Sequence, residues 1–118
     1  MHNFKELNVW KEAKDFSVEV FKITNTFPKS ELYGITSQIN RASVSIPSNI
    51  AEGASRKSDK DFSRFIQIAL GSSFELETQL IISNEINYLD EITFNKVIEQ
   101  LNKIQKMLFN FNRHLQNK

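Results

Sequence analysis

Apolar residues recur at three- and four-residue steps through nearly the whole chain, a period that predicts helices and no strands. The first predicted helix runs from about Val9 to Thr26, with Asn8 placed to cap it. Val9, Ala13, Phe16, Val20, Ile23 and Phe27 form its stripe, and Trp10, Ser17 and Phe21 lie on a shoulder beside it. Pro28 ends it, because the residue before a proline is pushed out of the helical region. Ser30 is placed to cap the second helix, with Glu31 in a first turn where the helix dipole favours an acid. Leu32, Ile35, Ile39, Ala42, Ile46 and Ile50 form its stripe, and Gly53 offers the left-handed stop that glycine adopts most easily. Ser58 and Asp61 resemble a capping box at the start of a third helix, from about Asp59 to Ile86. After Asn87-Tyr88-Leu89, Asp90 is placed to cap a fourth. Its stripe is Phe94, Val97, Ile98, Leu101, Ile104, Leu108, Phe111 and Leu115, with Lys96, Lys103, Asn110 and His114 opposite.

The third helix differs from the other three. Phe62, Ile66, Ala69, Ser73, Leu76 and Leu80 make one stripe, Leu70, Phe74 and Ile81 a second, and Ile68, Ile82 and Ile86 a third side. A helix apolar on several sides is buried on several sides, and one small bundle cannot cover them all. The pattern therefore predicts an all-α, antiparallel up-down four-helix bundle, a single domain over residues 1–118 that self-associates. Gly71-Ser72-Ser73, inside the third helix, is read as permitting close helix packing.

One segment resists this simple pattern. Ser43–Gly53 reads Ser-Val-Ser-Ile-Pro-Ser-Asn-Ile-Ala-Glu-Gly, placing a proline inside the second helix. A proline there removes one backbone hydrogen bond and crowds the carbonyl of Ser43, at about 3 kcal/mol. The periodicity puts Pro47 away from the main stripe, and Ser45 and Ser48 are the expected partners of the freed carbonyls. Gln38, Arg41, Ser45, Ser48 and Glu52 line one edge of the helix, with Asn49 between that edge and the stripe. Ser72, Glu75 and Gln79 form a similar edge on the third helix. If the two edges meet, Arg41 pairs with a carboxylate, and Gln38, Arg41, Ser45, Asn49, Glu52 and Glu75 form a polar network or a subunit contact.

Composition removes several kinds of chemistry. There is no cysteine, which excludes disulfides and thiolate metal sites and favours a reducing compartment. The only histidines, His2 and His114, lack the Glu-x-x-His context of di-iron bundles, so no metal or cofactor is expected. Serine triads and the Arg-to-His spacing of small helical RNases fail for the same reason, and no Gly-rich phosphate loop is present. No catalytic residue is assigned. The opening Met1–Glu6 stretch lacks the apolar run of a signal peptide and no segment is long enough to span a membrane, so a cytoplasmic domain is expected.

The net charge is +1, but its distribution is uneven. Phe65–Asn95 contains no Lys or Arg and holds Glu75, Glu77, Glu85, Asp90 and Glu91. Arg56, Lys57, Lys60 and Arg64 form one basic group, and Lys96, Lys103, Lys106, Arg113 and Lys118 a second. Arg56, Lys57, Lys60, Arg64, Lys96, Lys103 and Lys106 are the candidate contacts to RNA or DNA.

Several segments together resemble a known family. They are Leu7-Asn8-Val9-Trp10-Lys11-Glu12-Ala13, Phe27-Pro28 with Glu31, Gln38-Ile39-Asn40-Arg41-Ala42, Ser45–Gly53 and Gly71-Ser72-Ser73-Phe74-Glu75-Leu76-Glu77. The chain resembles the four-helix proteins encoded in intervening sequences of bacterial 23S ribosomal RNA genes, often labelled S23. It is also similar to the accessory variability determinant proteins of diversity-generating retroelements. The resemblance implies a ring-shaped homopentamer without catalytic activity. In the retroelement branch it further implies a barrel that binds a reverse transcriptase and nucleic acid through basic residues. The near-neutral charge departs from that strongly basic branch. The leading expectation is thus a homo-oligomeric scaffold with a nucleic-acid-binding rim. The alternative is a small enzyme or ligand-binding protein with a polar pocket around Arg41, Asn49, Glu52 and Glu75.

Overall fold

The computed structural model describes residues 2–117, an elongated all-α bundle measuring 45 × 23 × 20 Å. Lys118, counted above with the second basic group, lies outside the described residues. The four helices are α1 (Asn8–Thr24), α2 (Ile35–Ala54), α3 (Asp59–Glu85) and α4 (Glu91–Gln116). No strand occurs among the described residues, and none of their helices is long and apolar enough to cross a membrane. Each helix packs on the next in sequence, and α1 also packs on α4. At about 1.5 Å per residue, the 27 residues of α3 nearly reach the full length of the bundle.

The predicted stripes supply the core. Val9, Ala13, Phe16 and Val20 of α1 are buried, with Ile39, Ala42, Ile46 and Ile50 of α2. Phe62, Ile66, Ala69, Leu76 and Leu80 of α3 meet Val97, Leu101, Ile104, Leu108 and Leu115 of α4. Two aromatic clusters mark the ends. At one, Phe62 packs edge-on against His2 at 5.0 Å and Phe111 at 5.2 Å. At the other, Phe27 lies 5.7 Å from Tyr88, whose hydroxyl donates to Glu31 Oε2 at 3.0 Å. That bond, made by the Tyr88 O–H to a carboxylate, holds the tyrosine above its ordinary pKa.

Two of the four predicted caps hold. Ser58 Oγ accepts the Asp61 N–H at 3.1 Å, and Asp90 Oδ1 accepts the Thr93 N–H at 2.8 Å. The Thr93 bond keeps Asp90 below the usual carboxylate range. A lowered carboxylate pKa contributes stability that is present at neutral pH and fades as pH falls through the lowered value. Asp90→Asn, which can still cap, is therefore expected to flatten the acid limb of a plot of unfolding midpoint against pH, whereas wild type keeps the slope.

The other two caps are corrections. Asn8 is the first residue of α1, and Leu7, which has no capping side chain, precedes it. α1 itself has no side-chain cap; Asn3 caps the short 3-10 turn ahead of it, Phe4–Glu6, accepting Lys5 N–H at 3.2 Å. Ser30 falls inside a second 3-10 turn, Lys29–Glu31, and α2 starts only after Gly34, which leaves Leu32 54% exposed rather than in the core.

Both glycine readings also change. Gly53 lies within α2 without a positive φ, so it is no left-handed stop. A Cβ placed there would come within 2.7 Å of Phe65 Cβ and 2.8 Å of Phe62 Cδ1, so Gly53 lets α3 approach α2. Gly71 is the reverse: exposed, with nothing within 4 Å of a Cβ, it brings no two helices of the protomer together.

Candidate functional site

Pro47 is buried, not turned away from the core, and its effect is met from another helix. Ser17 Oγ on α1 donates to the Ser43 carbonyl at 2.7 Å, the carbonyl that a proline at position 47 leaves without its N–H. The expected donors, Ser45 and Ser48, do not serve it. Ser45 instead faces α3, its hydroxyl 2.9 Å from that of Ser72, and Ser48 is exposed. Asn49 Nδ2 donates to both the carbonyl and the hydroxyl of Ser45, at 2.8 and 3.0 Å. The proline segment is thus stitched to α1 on one side and to α3 on the other.

Part of the predicted polar network assembles. Gln38, Arg41, Ala42 and Ser45 of α2 and Glu75 and Gln79 of α3 line one groove of about 380 Å³. The two polar edges do meet. Arg41, however, makes no ion pair among the described residues, and neither does Glu75. Both are exposed, so water solvates each charge and little drives a direct pair. Gln79 Oε1 is buried beside them with no hydrogen-bond partner. Glu52 leaves the group: it pairs at 3.3 Å with Arg56, four residues on and just past the end of α2. Arg41, Asn49, Glu52 and Glu75 do not converge on one pocket, since Asn49 and Glu52 are absent from the groove lining. No set of three or more His, Asp or Glu side chains among the described residues is arranged to hold a metal.

The basic residues divide between surfaces. Arg56, Lys57, Lys60 and Arg64 flank the turn from α2 to α3. Arg56 is held by Glu52 and by the Phe65 ring, 4.7 Å from its guanidinium, while Arg64 lies 3.7 Å from Asp61. Lys60 and Arg64 share a groove with Leu115 and Gln116, so the end of α4, with Arg113, adds to this positive end. Lys96 is near the start of α4, where Glu85, Asp90 and Glu91 gather. Lys103 bonds Glu12 of α1 at 3.2 Å, and Lys106 lies on the open side of α4 beside Asn102 and Asn110. No single rim collects all seven.

Ser17 is the residue whose structural role the pattern conceals: a serine on a helix shoulder carries no sign of which carbonyl it reaches. The Pro47 anomaly did signal that a donor to Ser43 was needed.

Two comparisons place the chain. The sequence model described as "23S rRNA-intervening sequence protein" matches residues 5–110. The crystal structure of a protein of unknown function from the S23 ribosomal protein family of Bacteroides thetaiotaomicron VPI-5482 superposes with a TM-score of 0.83. The match covers 88% of this chain and 97% of that one at 23% identity, a likeness that carries the fold. No curated protein matches the sequence.

Proposed function

The chain belongs to the 23S rRNA-intervening sequence protein family, and we propose that it acts as a non-enzymatic scaffold built from several copies of itself. In this reading the protomer is an antiparallel up-down bundle. Supporting it, Ser63 bonds Asn112 at 2.5 Å and Gln105 bonds Glu77 at 2.8 Å, pairing early α3 with late α4 and late α3 with mid α4.

The observation that carries the proposal is the outer face of α3. Ile68, Ile82 and Ile86 are 52%, 45% and 46% exposed. With Gly71 and Glu75 they follow three-, four- and seven-residue steps, so they share one strip of the helix. A run of isoleucines around an uncovered glycine suits the close approach of another helix and is a liability in water. The groove alongside holds an unpaired Arg41 and Glu75 and the unpartnered Gln79 Oε1, groups that an adjoining copy can satisfy. Where the strip meets a different surface of the next copy, here the groove at Arg41 and Glu75, the contact is head-to-tail, and such contacts form a ring when the rotation between copies closes. The homopentamer is the ring the resemblance suggests. Around it, Arg56, Lys57, Lys60, Arg64 and Arg113 would repeat as a positive rim for RNA or DNA.

Ile82→Glu places a charge in the proposed contact. Its side chain is half solvated in the protomer, so the fold is expected to survive. Light scattering should report loss of the oligomer with helical circular dichroism intact. An oligomer of unchanged mass would remove this strip as the interface.

A further inference from the structure

The groove between α3 and α4 pairs aromatic rings with cationic and amide side chains. Leu70 and Phe74 of α3 and Phe109 of α4 line it with Asn102, Gln105, Lys106 and Asn110, around about 580 Å³. Phe74 is 53% exposed and Phe109 54%. No carboxylate lines it. Glu77 lies close by, accepting from Gln105 Nε2 at 2.8 Å. The Arg113 guanidinium stands 6.0 Å from the centre of the Phe109 ring. Asn102, Lys106 and Asn110 also line the next groove along α4, of about 570 Å³, together with Asn95, Lys103 and Glu99. The polar strip therefore continues along the helix beyond the two rings.

We propose that this groove binds single-stranded nucleic acid, with bases stacking on Phe74 and Phe109 and Lys106 and Arg113 meeting the phosphates. Exposed rings accept any base, because every base has a π-face, and adjacent cations follow the backbone. The amides of Asn102 and Asn110 can hydrogen-bond the base edges that an unpaired strand exposes. A duplex keeps its base faces stacked inside and has nothing to offer the two rings. Phe74 lies about a quarter-turn round α3 from the Ile68–Ile86 strip assigned to self-assembly, and Phe109 stands on α4. The proposal rests on the reading of the protein as a nucleic-acid scaffold, but it names the α3–α4 groove, which meets the basic end only at Arg113.

The test is fluorescence anisotropy of the full chain with labelled oligouridylate, free and paired with oligoadenylate. The single strand is expected to bind roughly tenfold tighter or more, since stacking needs unpaired bases. Phe109→Ala should weaken it by about 5- to 150-fold, the loss of one stacked base, while Phe109→Trp keeps it. Lys106→Ala should reduce the salt slope of binding by about 1. Equal affinity for both probes together with no effect of Phe109→Ala overturns the proposal. If Arg56→Ala/Lys57→Ala/Lys60→Ala then abolishes binding, the basic end alone holds nucleic acid and only the groove assignment falls. Binding of neither probe removes both readings.

Discussion

Ser17→Ala is expected to destabilise the fold by about 1–3 kcal/mol, far more than the loss of a hydroxyl on a helix shoulder would suggest. The reason lies on the neighbouring helix. Pro47 cannot donate to the Ser43 carbonyl, and Ser17 Oγ donates to it at 2.7 Å in a place where Ser43 is fully buried. Removing the hydroxyl leaves a buried acceptor unpaired, which costs about 1–3 kcal/mol. The same reasoning predicts a coupling. In a Pro47→Ala background the residue at position 47 regains its N–H, which can reach the Ser43 carbonyl within the helix, and Ser17→Ala should then cost much less. A double-mutant cycle by urea unfolding measures the difference. Equal effects of Ser17→Ala in both backgrounds would break the link between the serine and the proline.

Gly53→Ala and Gly71→Ala are expected to have opposite signs, although both glycines sit inside helices. Alanine favours the helix over glycine by about 0.5–1 kcal/mol at either site. At Gly53 the new methyl meets Phe65 Cβ at 2.7 Å and Phe62 Cδ1 at 2.8 Å, and Phe62 is itself buried and fixed by His2 and Phe111. Overpacking of this kind costs about 1–3 kcal/mol, more than the gain in helix propensity. At Gly71 nothing lies within 4 Å, so only the gain remains in an isolated protomer. Thermal unfolding of both variants in an Ile82→Glu background isolates the protomer from assembly. A stabilised Gly53→Ala would mean that α2 and α3 can separate without loss.

Much of the fold was legible in the sequence because a helical period reports which face is apolar without knowing what it meets. The stripes of α1 and α4 and the first of the three on α3 are buried or packed against the core as their spacing indicates, and the Ser58 and Asp90 caps form because the side chain and its N–H are near neighbours in sequence. What escaped depends on contacts between helices. Ser17 reaches Ser43 across 26 positions, and Gly53 matters because Phe62 and Phe65 return against it. Arg41 and Glu75 were correctly placed at one groove, but whether they pair depends on their solvation there, which spacing does not report. The basic residues were visible as runs, yet helix direction separates the Arg56–Arg64 group from Lys96 and leaves Lys106 beside exposed aromatic rings.

The multi-sided α3 remains the feature that most separates this chain from a self-contained bundle. Its inner stripe fills the protomer core, while Ile68, Ile82 and Ile86 stay in water around Gly71. Native mass spectrometry of the wild-type chain at micromolar concentration tests this account most directly. A closed assembly at five times the 13.7 kDa protomer mass is the predicted result. A single species at 13.7 kDa would contradict it.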